Sequence, residues 1–196
     1  MKKHLFITGP SGCGKSTLIR EVLGSRLAYA GGFITERVCD DKGNLLGYDL
    51  LPAGAAADQS LYTGMGKRFL DCADGLYLRD NEVFRLDAVE MLQQVEYYPF
   101  ALVDAFGGFE VIIPQFRSAL ADFLNLDLPI IGVIKDAESV EQLQNRFGLG
   151  DRFPEMAAMI RRVIAADSDC EVLEMKAPGD VRVRAAVEAW VKEYLT

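Results

Sequence analysis

The stretch that decides the fold lies near the start of the chain and reads Leu5-Phe6-Ile7-Thr8-Gly9-Pro10-Ser11-Gly12-Cys13-Gly14-Lys15-Ser16. It holds a complete G-x-x-x-x-G-K-[ST] pattern between an apolar run, which predicts a strand, and a helical pattern. Glycines let such a loop wrap around an anion and point successive backbone N–H groups inward. The helix adds the positive end of its dipole. The stretch therefore predicts a loop that binds nucleotide phosphates.

Two side chains of this loop carry charge chemistry. Lys15 would place a point charge at the β- and γ-phosphates, and the Ser16 hydroxyl would ligate Mg²⁺. ATP or GTP is accordingly the predicted substrate, with Mg²⁺ as cofactor. The predicted nucleotide-binding residues are Gly9, Pro10, Ser11, Gly12, Cys13, Gly14, Lys15, Ser16 and Thr17.

Composition limits the other function classes. At 196 residues the chain is long enough for one buried core and too short for two, which predicts a single domain over residues 1–196. A net charge of −8 argues against a nucleic-acid-binding surface. No apolar run approaches the length of a membrane span, and the first strand begins too early to leave room for a signal peptide. The four cysteines have no metal-like spacing, so we expect reduced thiols in a cytoplasmic protein.

Strand-like and helix-like stretches alternate along the chain, which predicts an α/β fold with a mostly parallel sheet between two helix layers. A β-hairpin is predicted over 31–51, with its turn at 40–44, as an insertion folded over the rim of the sheet. Ligands of such sheets bind beyond the carboxyl ends of the strands. The glycine-rich loop, Asp104 and the loop after Ile134 should therefore share one rim.

Weaker patterns give further expectations. Apolar residues at helical spacing predict a helix whose buried stripe is Met156, Met159, Ile160, Val163 and Ile164, and Asp180 is predicted to cap the last helix. The other predictions are a strand over 75–84, an exposed basic turn over 64–68, His4 at the surface or at a strand edge, and core or sheet-edge positions for Tyr77, Phe84, Tyr97 and Tyr98.

Asp104 ends the apolar run Phe100-Ala101-Leu102-Val103. A carboxylate at the end of a buried strand is the arrangement that holds Mg²⁺ in nucleotide-hydrolysing enzymes, and here it follows a phosphate-binding loop. The alternative is a turn or cap residue. Many such enzymes place Glu directly after this Asp to polarise the attacking water, whereas this chain has Ala105.

The order of these parts resembles the THEP-type small nucleoside triphosphatases. The resemblance spans roughly residues 1–135 and rests on the glycine-rich loop, Gly32-Phe33-Ile34-Thr35-Glu36, Gly47-Tyr48-Asp49-Leu50 and Asp104-x-x-Gly107-x-x-Glu110. It implies a RecA/AAA-like P-loop NTPase fold, a three-layer sandwich with an inserted β-hairpin. It also implies slow, Mg²⁺-dependent hydrolysis of nucleoside triphosphates.

The chain departs from this family at particular residues. Family members read Asp-Glu-Ile-Gly-Lys-Met-Glu where this chain reads Asp104-Ala105-Phe106-Gly107-Gly108-Phe109-Glu110, so the expected Glu and Lys are missing. The family's Glu-Glu-Val-Arg after the hairpin Thr is replaced by residues 36–39. An Asn-Arg pair expected near the nucleotide base has no counterpart in residues 176–179. The resemblance therefore implies nucleotide binding more firmly than base selectivity or water activation.

Two acids could replace the missing water-activating Glu. Glu110 and Glu36 are the candidates, since a general base must come within about 3 Å of its proton or act through one water. The alternatives are that Glu110 begins the next helix, where its charge suits the helix dipole, and that Glu36 pairs with an arginine. We predict Lys15, Asp104 and Glu110 as the catalytic residues.

Basic side chains of the C-terminal third allow two interpretations. One of them could neutralise phosphate charge, or all could lie on a solvated helix face with acidic partners. The residues are Arg146, Arg152, Arg161 and Arg162.

Three functions fit this set of residues. A slow Mg²⁺-dependent nucleoside triphosphatase is the prediction that we favour. A P-loop kinase acting on a nucleotide or small metabolite fits the missing Glu, because a kinase must not waste ATP on water. A nucleotide-binding accessory protein with residual turnover is the third.

Overall fold

Eight strands join into one sheet in the part of the chain that a computed structural model describes, residues 2–57, 65–72 and 76–195. Their order across the sheet is β5-β4-β3-β2-β6-β7-β1-β8. The strands are β1 His4–Thr8, β2 Ala30–Cys39, β3 Leu45–Pro52, β4 Lys67–Asp71, β5 Leu78–Arg79, β6 Phe100–Phe106, β7 Ile130–Ile134 and β8 Cys170–Glu174.

The sheet has two parts of different character. Strands β2, β6, β7, β1 and β8 pair in parallel and form what we call the parallel half. Strands β3, β4 and β5 continue the sheet by antiparallel pairing from β2 and form the antiparallel half. The predicted hairpin is β2–β3, but it extends the sheet in its own plane and is not folded over the rim. The reason is that residues 30–34 of β2 pair with residues 100–104 of β6 before the later residues pair with β3.

Helices cover both faces, which confirms the predicted three-layer α/β architecture. The side chains of β1 alternate between the two cores. Leu5 and Ile7 belong to the core between the sheet and helices α1 and α6, whereas Phe6 belongs to the core between the sheet and helices α3 and α5. The helices are α1 Lys15–Leu23, α2 Val89–Gln93, α3 Pro114–Leu124, α4 Ala137–Phe147, α5 Arg152–Ala166 and α6 Val181–Tyr194. A π-helical stretch, Val83–Ala88, leads directly into α2.

Several helix ends lie where the residue types predict them. Gly24 ends α1, and Gly148 ends α4 in the left-handed conformation that glycine adopts without strain. Asp136 caps α4 by accepting a hydrogen bond from the Ser139 N–H. Asp180 caps α6 as predicted, accepting from two backbone N–H groups of its first turn.

Two predictions about the middle of the chain were wrong. Residues 67–71 form β4, not an exposed basic turn, and Arg68 forms an ion pair with Asp49 of the neighbouring strand. Because β4 begins with Lys67 and Arg68, the apolar residues Phe69 and Leu70 that follow were not recognised as part of a strand. Of the predicted strand over 75–84, only Leu78–Arg79 is a strand, and Phe84 lies in the π-helical stretch. Gly64 and Gly75, at the ends of these two predictions, lie outside the described residues.

Burial corrects other expectations. His4 is buried, because β1 lies between β7 and β8, and this burial lowers the pKa of its imidazole. The predicted stripe of α5 is confirmed at Ile160 and Ile164, which are buried together with Phe153 and Ala157, whereas Met159 and Val163 are exposed. Of the four aromatic residues expected in the core or at a sheet edge, Phe84 is buried, whereas Tyr77, Tyr97 and Tyr98 are exposed.

All four cysteines lie in described segments and are free thiols; Cys13, Cys72 and Cys170 are buried, and Cys39 is exposed. Burial raises the pKa of Cys170 to about 11. Within the described residues, each helix is too short or too polar to cross a lipid bilayer.

Candidate active site

The glycine-rich loop connects β1 to the first turn of α1. Gly9 has a φ of +135°, and a Cβ there would lie 2.1 Å from the Met175 carbonyl oxygen. Gly14, with a φ of +91°, precedes α1 in the left-handed conformation. The Cys13 thiol donates a hydrogen bond to the same Met175 carbonyl at 3.3 Å. Glycine is therefore required at position 9 because the chain after β8 packs directly against the loop.

Lys15 is the first residue of α1, and only 9% of its surface is exposed. Its ammonium donates hydrogen bonds to the carbonyl oxygens of Gly9 and Pro10, both at 2.7 Å. In the described part of the chain this buried cation has two neutral carbonyl partners and no ion pair, so its charge is not compensated there. This arrangement suits the binding of an anion there.

Ser16 and Asp104 meet across the top of the parallel half. The Ser16 hydroxyl donates a hydrogen bond of 2.8 Å to Asp104 Oδ1, although the residues are 88 positions apart. Asp104 is 3% exposed, and burial raises the pKa of its carboxyl, against the opposing effects of Arg20, Ser16 and Lys135. The structure thus brings together the two residues predicted as Mg²⁺ ligands.

Arg20 links Asp104 to Glu36. Its Nη2 lies 3.4 Å from Asp104 Oδ2, and its Nη1 forms an ion pair with Glu36. The pairing of Glu36 with an arginine is the alternative that the sequence left open for this acid. Glu36 is therefore a less suitable base than Glu110.

Glu110 lies in a 3₁₀ turn, Phe109–Ile112, that precedes α3, so it is not the first-turn acid of that helix. Its Oε1 accepts hydrogen bonds from the backbone N–H groups of Gly107 and Gly108, at 2.6 and 2.7 Å. The side chain is 3% exposed, yet it lines the cleft above the loop. Burial raises the pKa of this carboxyl, and Lys135 and the backbone donors oppose that shift. One carboxylate oxygen thus fixes the turn, and the residue forms part of the cleft lining.

Lys135 is a site residue that the sequence analysis missed. It follows Ile134 at the end of β7, the strand between the loop strand β1 and the Asp104 strand β6. A Cβ added at Gly108 would lie 3.1 Å from Lys135 Cε and 2.8 Å from Glu110 Oε2. The Lys135 side chain therefore occupies the space into which a side chain at position 108 would project. The sequence signal was a lysine directly after a fully apolar strand.

These groups line one cleft of about 440 Å³. Its polar part is formed by the glycine-rich loop, Asp104, Glu110 and Lys135. The cleft continues toward the antiparallel half, where aromatic side chains and α4 line it. The rim predicted to carry the loop, Asp104 and the residues after Ile134 is thereby confirmed as one surface.

The arginines of the C-terminal third do not behave as a group. Arg146 lines the cleft and donates a hydrogen bond of 2.7 Å to the Tyr77 hydroxyl. Arg161 donates to the Lys135 carbonyl oxygen at 3.4 Å, and burial lowers the pKa of its guanidinium. Arg162 is exposed. Within the described segments, the ion pairs that form include none of Arg146, Arg152, Arg161 and Arg162.

The donor set around Asp104 fits a magnesium ion. Mg²⁺ prefers oxygen ligands and is bound through one or two carboxylates together with waters and substrate phosphates. Ser16 Oγ and Asp104 Oδ1 are such donors and lie on the rim of the cleft. No cluster of three or more His, Cys, Asp or Glu side chains occurs in the described part of the chain, so a cage made of protein ligands alone is not present there.

Comparison with known proteins agrees with this geometry. Residues 4–150 match the model of a family described as NTPase. The chain is 30% identical over 164 residues to the human cancer-related nucleoside-triphosphatase, covering 74% of this chain and 85% of the relative. The homologue from Mus musculus is 27% identical over the same coverage.

A solved structure shares the fold. The crystal structure of THEP1 from the hyperthermophile Aquifex aeolicus matches with a TM-score of 0.60 at 16% identity, covering 98% of this chain and 99% of that one. The matched family region contains the glycine-rich loop, Asp104, Glu110 and Lys135. The chain therefore belongs to the NTPase family of small, THEP-type nucleoside-triphosphatases.

Proposed function

We propose that this chain binds a nucleoside triphosphate with Mg²⁺ and hydrolyses it slowly to the diphosphate and phosphate. The observation that carries the proposal is the hydrogen bond between Ser16 and Asp104, which brings two oxygen ligands together in the cleft that Lys15 also lines. In our proposal residues 1–196 act as one nucleotide-binding domain, since every described strand joins a single sheet. The four free thiols support a cytoplasmic location.

The loop residues 9–17 are proposed to hold the β- and γ-phosphates. Backbone N–H groups at the start of α1 would donate to phosphate oxygens, as at other helix N-termini. Lys15 would exchange its two carbonyl partners for phosphate oxygens, a stronger, charge-assisted interaction. Ser16 and Asp104 would hold Mg²⁺, which would supply positive charge to offset the negative charge of the phosphates.

Glu110 is proposed to orient the attacking water in place of the missing acid at position 105. The water oxygen forms a bond to the γ-phosphorus, the bond from that phosphorus to the β–γ bridging oxygen breaks, and the Glu110 carboxylate accepts the water proton. Its raised pKa favours this role, because proton acceptance is most effective when the pKa approaches the working pH.

Lys135 is proposed to supply the positive charge that the family places at position 108. Its side chain occupies the space beside Gly108, and its charge lowers the pKa of both Glu110 and Asp104. A cation there would attract the γ-phosphate and keep Glu110 ionised. The missing lysine at 108 would thus be replaced from the neighbouring strand.

Release of inorganic phosphate from ATP and GTP, with Mg²⁺ and with a chelator, tests the proposal. We expect Mg²⁺-dependent release that falls at least about 100-fold in Lys15→Ala, the range seen when one charge-stabilising group is removed. Lys42→Ala, at the exposed hairpin turn, is the control and should match the wild type. Equal release by Lys15→Ala would overturn the proposal. Formation of the nucleoside diphosphate only when a second substrate is added would support the kinase alternative.

A further inference from the structure

The cleft extends past the phosphate-binding residues into a region of different chemistry. Five aromatic rings and one arginine line it, and we call this region the aromatic chamber: Tyr48, Phe69, Phe84, Phe109, Phe147 and Arg146. Three of the rings form a packed wall, with centroids 4.9 Å apart for Phe69 and Phe84 and 5.7 Å apart for Phe69 and Phe109. The phosphate chain of a nucleotide is charged throughout and gains nothing from contact with such a surface. The chamber is therefore available to an apolar group.

The strand order sets where the chamber lies relative to a bound triphosphate. The chain after β8 packs against the glycine-rich loop on one side, through Cys13 and Met175. Across the sheet from there, the rim carries Lys135 after β7 and then Asp104 on β6, before Tyr48 on β3 and Phe69 on β4. On the proposed function, on which this placement rests, the γ-phosphate lies at Asp104. The chamber then begins where the triphosphate ends.

Arg146, an exposed residue of α4, adds a positive charge to the lining of the chamber. Its guanidinium lies 4.7 Å from the centroid of the Tyr77 ring and 5.7 Å from that of Phe147, and its Nη2 donates to the Tyr77 hydroxyl. These partners hold the group in position but are neutral. The described residues place no carboxylate within ion-pair distance of it. A guanidinium that is oriented and has no ion-pair partner in the described part of the chain is suited to binding a carboxylate.

We propose that the aromatic chamber binds a small planar aromatic carboxylic acid, with its ring against the phenylalanine wall and its carboxylate on Arg146, beside a bound nucleoside triphosphate. Aromatic rings favour stacked and edge-to-face contacts with a flat ligand. The pairing of a mostly apolar lining with one oriented charge is the usual composition of a small-molecule site.

The test uses 1-naphthoate as the probe and 1-naphthamide as its uncharged twin, with dissociation constants from titration calorimetry. We expect 1-naphthoate to bind the wild-type protein, and to bind Arg146→Gln about tenfold more weakly, because a charged hydrogen bond is lost. Binding to Arg162→Gln, an exposed arginine on α5, should equal the wild type. The amide should bind more weakly than the acid.

Two further measurements separate this proposal from the proposed function. The affinity for 1-naphthoate should be unchanged by a saturating non-hydrolysable ATP analogue and by Lys15→Ala. No binding of 1-naphthoate, equal binding of the amide, equal binding by Arg146→Gln, or displacement by the analogue would each overturn the chamber as a second site. Failure of the proposed function would be seen instead as unchanged phosphate release in Lys15→Ala.

Discussion

The two halves of the sheet differ in what they contribute to the cleft. The parallel half ends in polar groups, with the glycine-rich loop after β1, Asp104 on β6 and Lys135 after β7. The antiparallel half contributes side chains from the faces of β3 and β4, and these are mainly aromatic. Parallel strands all point the same way, so their carboxyl ends gather at one rim and build a charged site. The ends of antiparallel strands lie at opposite edges of the sheet, so these strands contribute side chains from their faces to the lining of the cleft.

This difference predicts that charge-removing substitutions separate the halves most strongly. Asp104→Asn should lower phosphate release about 100-fold or more, because the amide keeps a partner for Ser16 but removes the negative charge that would hold Mg²⁺. Asp49→Asn is the matched control in the antiparallel half, since Asp49 is also paired with an arginine. Steady-state phosphate release compares them, and equal losses in both variants would remove the distinction.

Substitutions in the aromatic chamber should affect stability and not phosphate release. Phe84 is 2% exposed and contacts the rings of Phe33, Phe69, Phe109 and Phe116. Phe84→Ala should lower the free energy of unfolding by about 3–5 kcal/mol, the cost of deleting a fully packed ring. Tyr97→Ala, at a residue 86% exposed, should leave it nearly unchanged. Denaturant unfolding measures both, and similar midpoints would mean that Phe84 does not support the wall.

The smallest expected effect is that of Lys135 on the carboxyl groups at the rim of the parallel half. Lys135 lowers the pKa of both Glu110 and Asp104, against the burial that raises them. Without that charge both pKa values rise further, so a larger fraction of each carboxyl group is protonated at a given pH. Lys135→Gln should therefore move the acidic limb of the kcat/KM profile to higher pH and reduce kcat/KM at pH 7 about tenfold. A limb at the wild-type position would show that Lys135 does not act on these carboxyls, and Lys42→Gln is the control.

The parallel half was the part that sequence could predict. Its strands are buried on both faces and therefore read as continuous apolar runs, and its chemistry depends on a local pattern around Lys15 and on a carboxylate at a strand end. The helices around it also follow from local signals such as the cap at Asp180. Here the predicted α/β architecture and the shared rim were confirmed.

The antiparallel half depends on long-range pairing that local pattern does not reveal. β4 begins with Lys67 and Arg68, which look like a solvated turn until Arg68 is seen to pair with Asp49. Lys135 was missed for a related reason, because its role depends on β7 lying next to β6 and on the space at Gly108. The roles of Lys15, Asp104 and Glu110 remain predictions.

The central claim is that Glu110 supplies the catalytic carboxylate that position 105 lacks. Single-turnover phosphate release by Glu110→Gln tests it most directly, because the amide oxygen can still accept from Gly107 and Gly108 and so preserve the turn. We expect the rate of phosphate release to fall about 100-fold with nucleotide affinity unchanged, as for removal of a general base. Release at the wild-type rate by Glu110→Gln, with Glu82→Gln as the control, would contradict it.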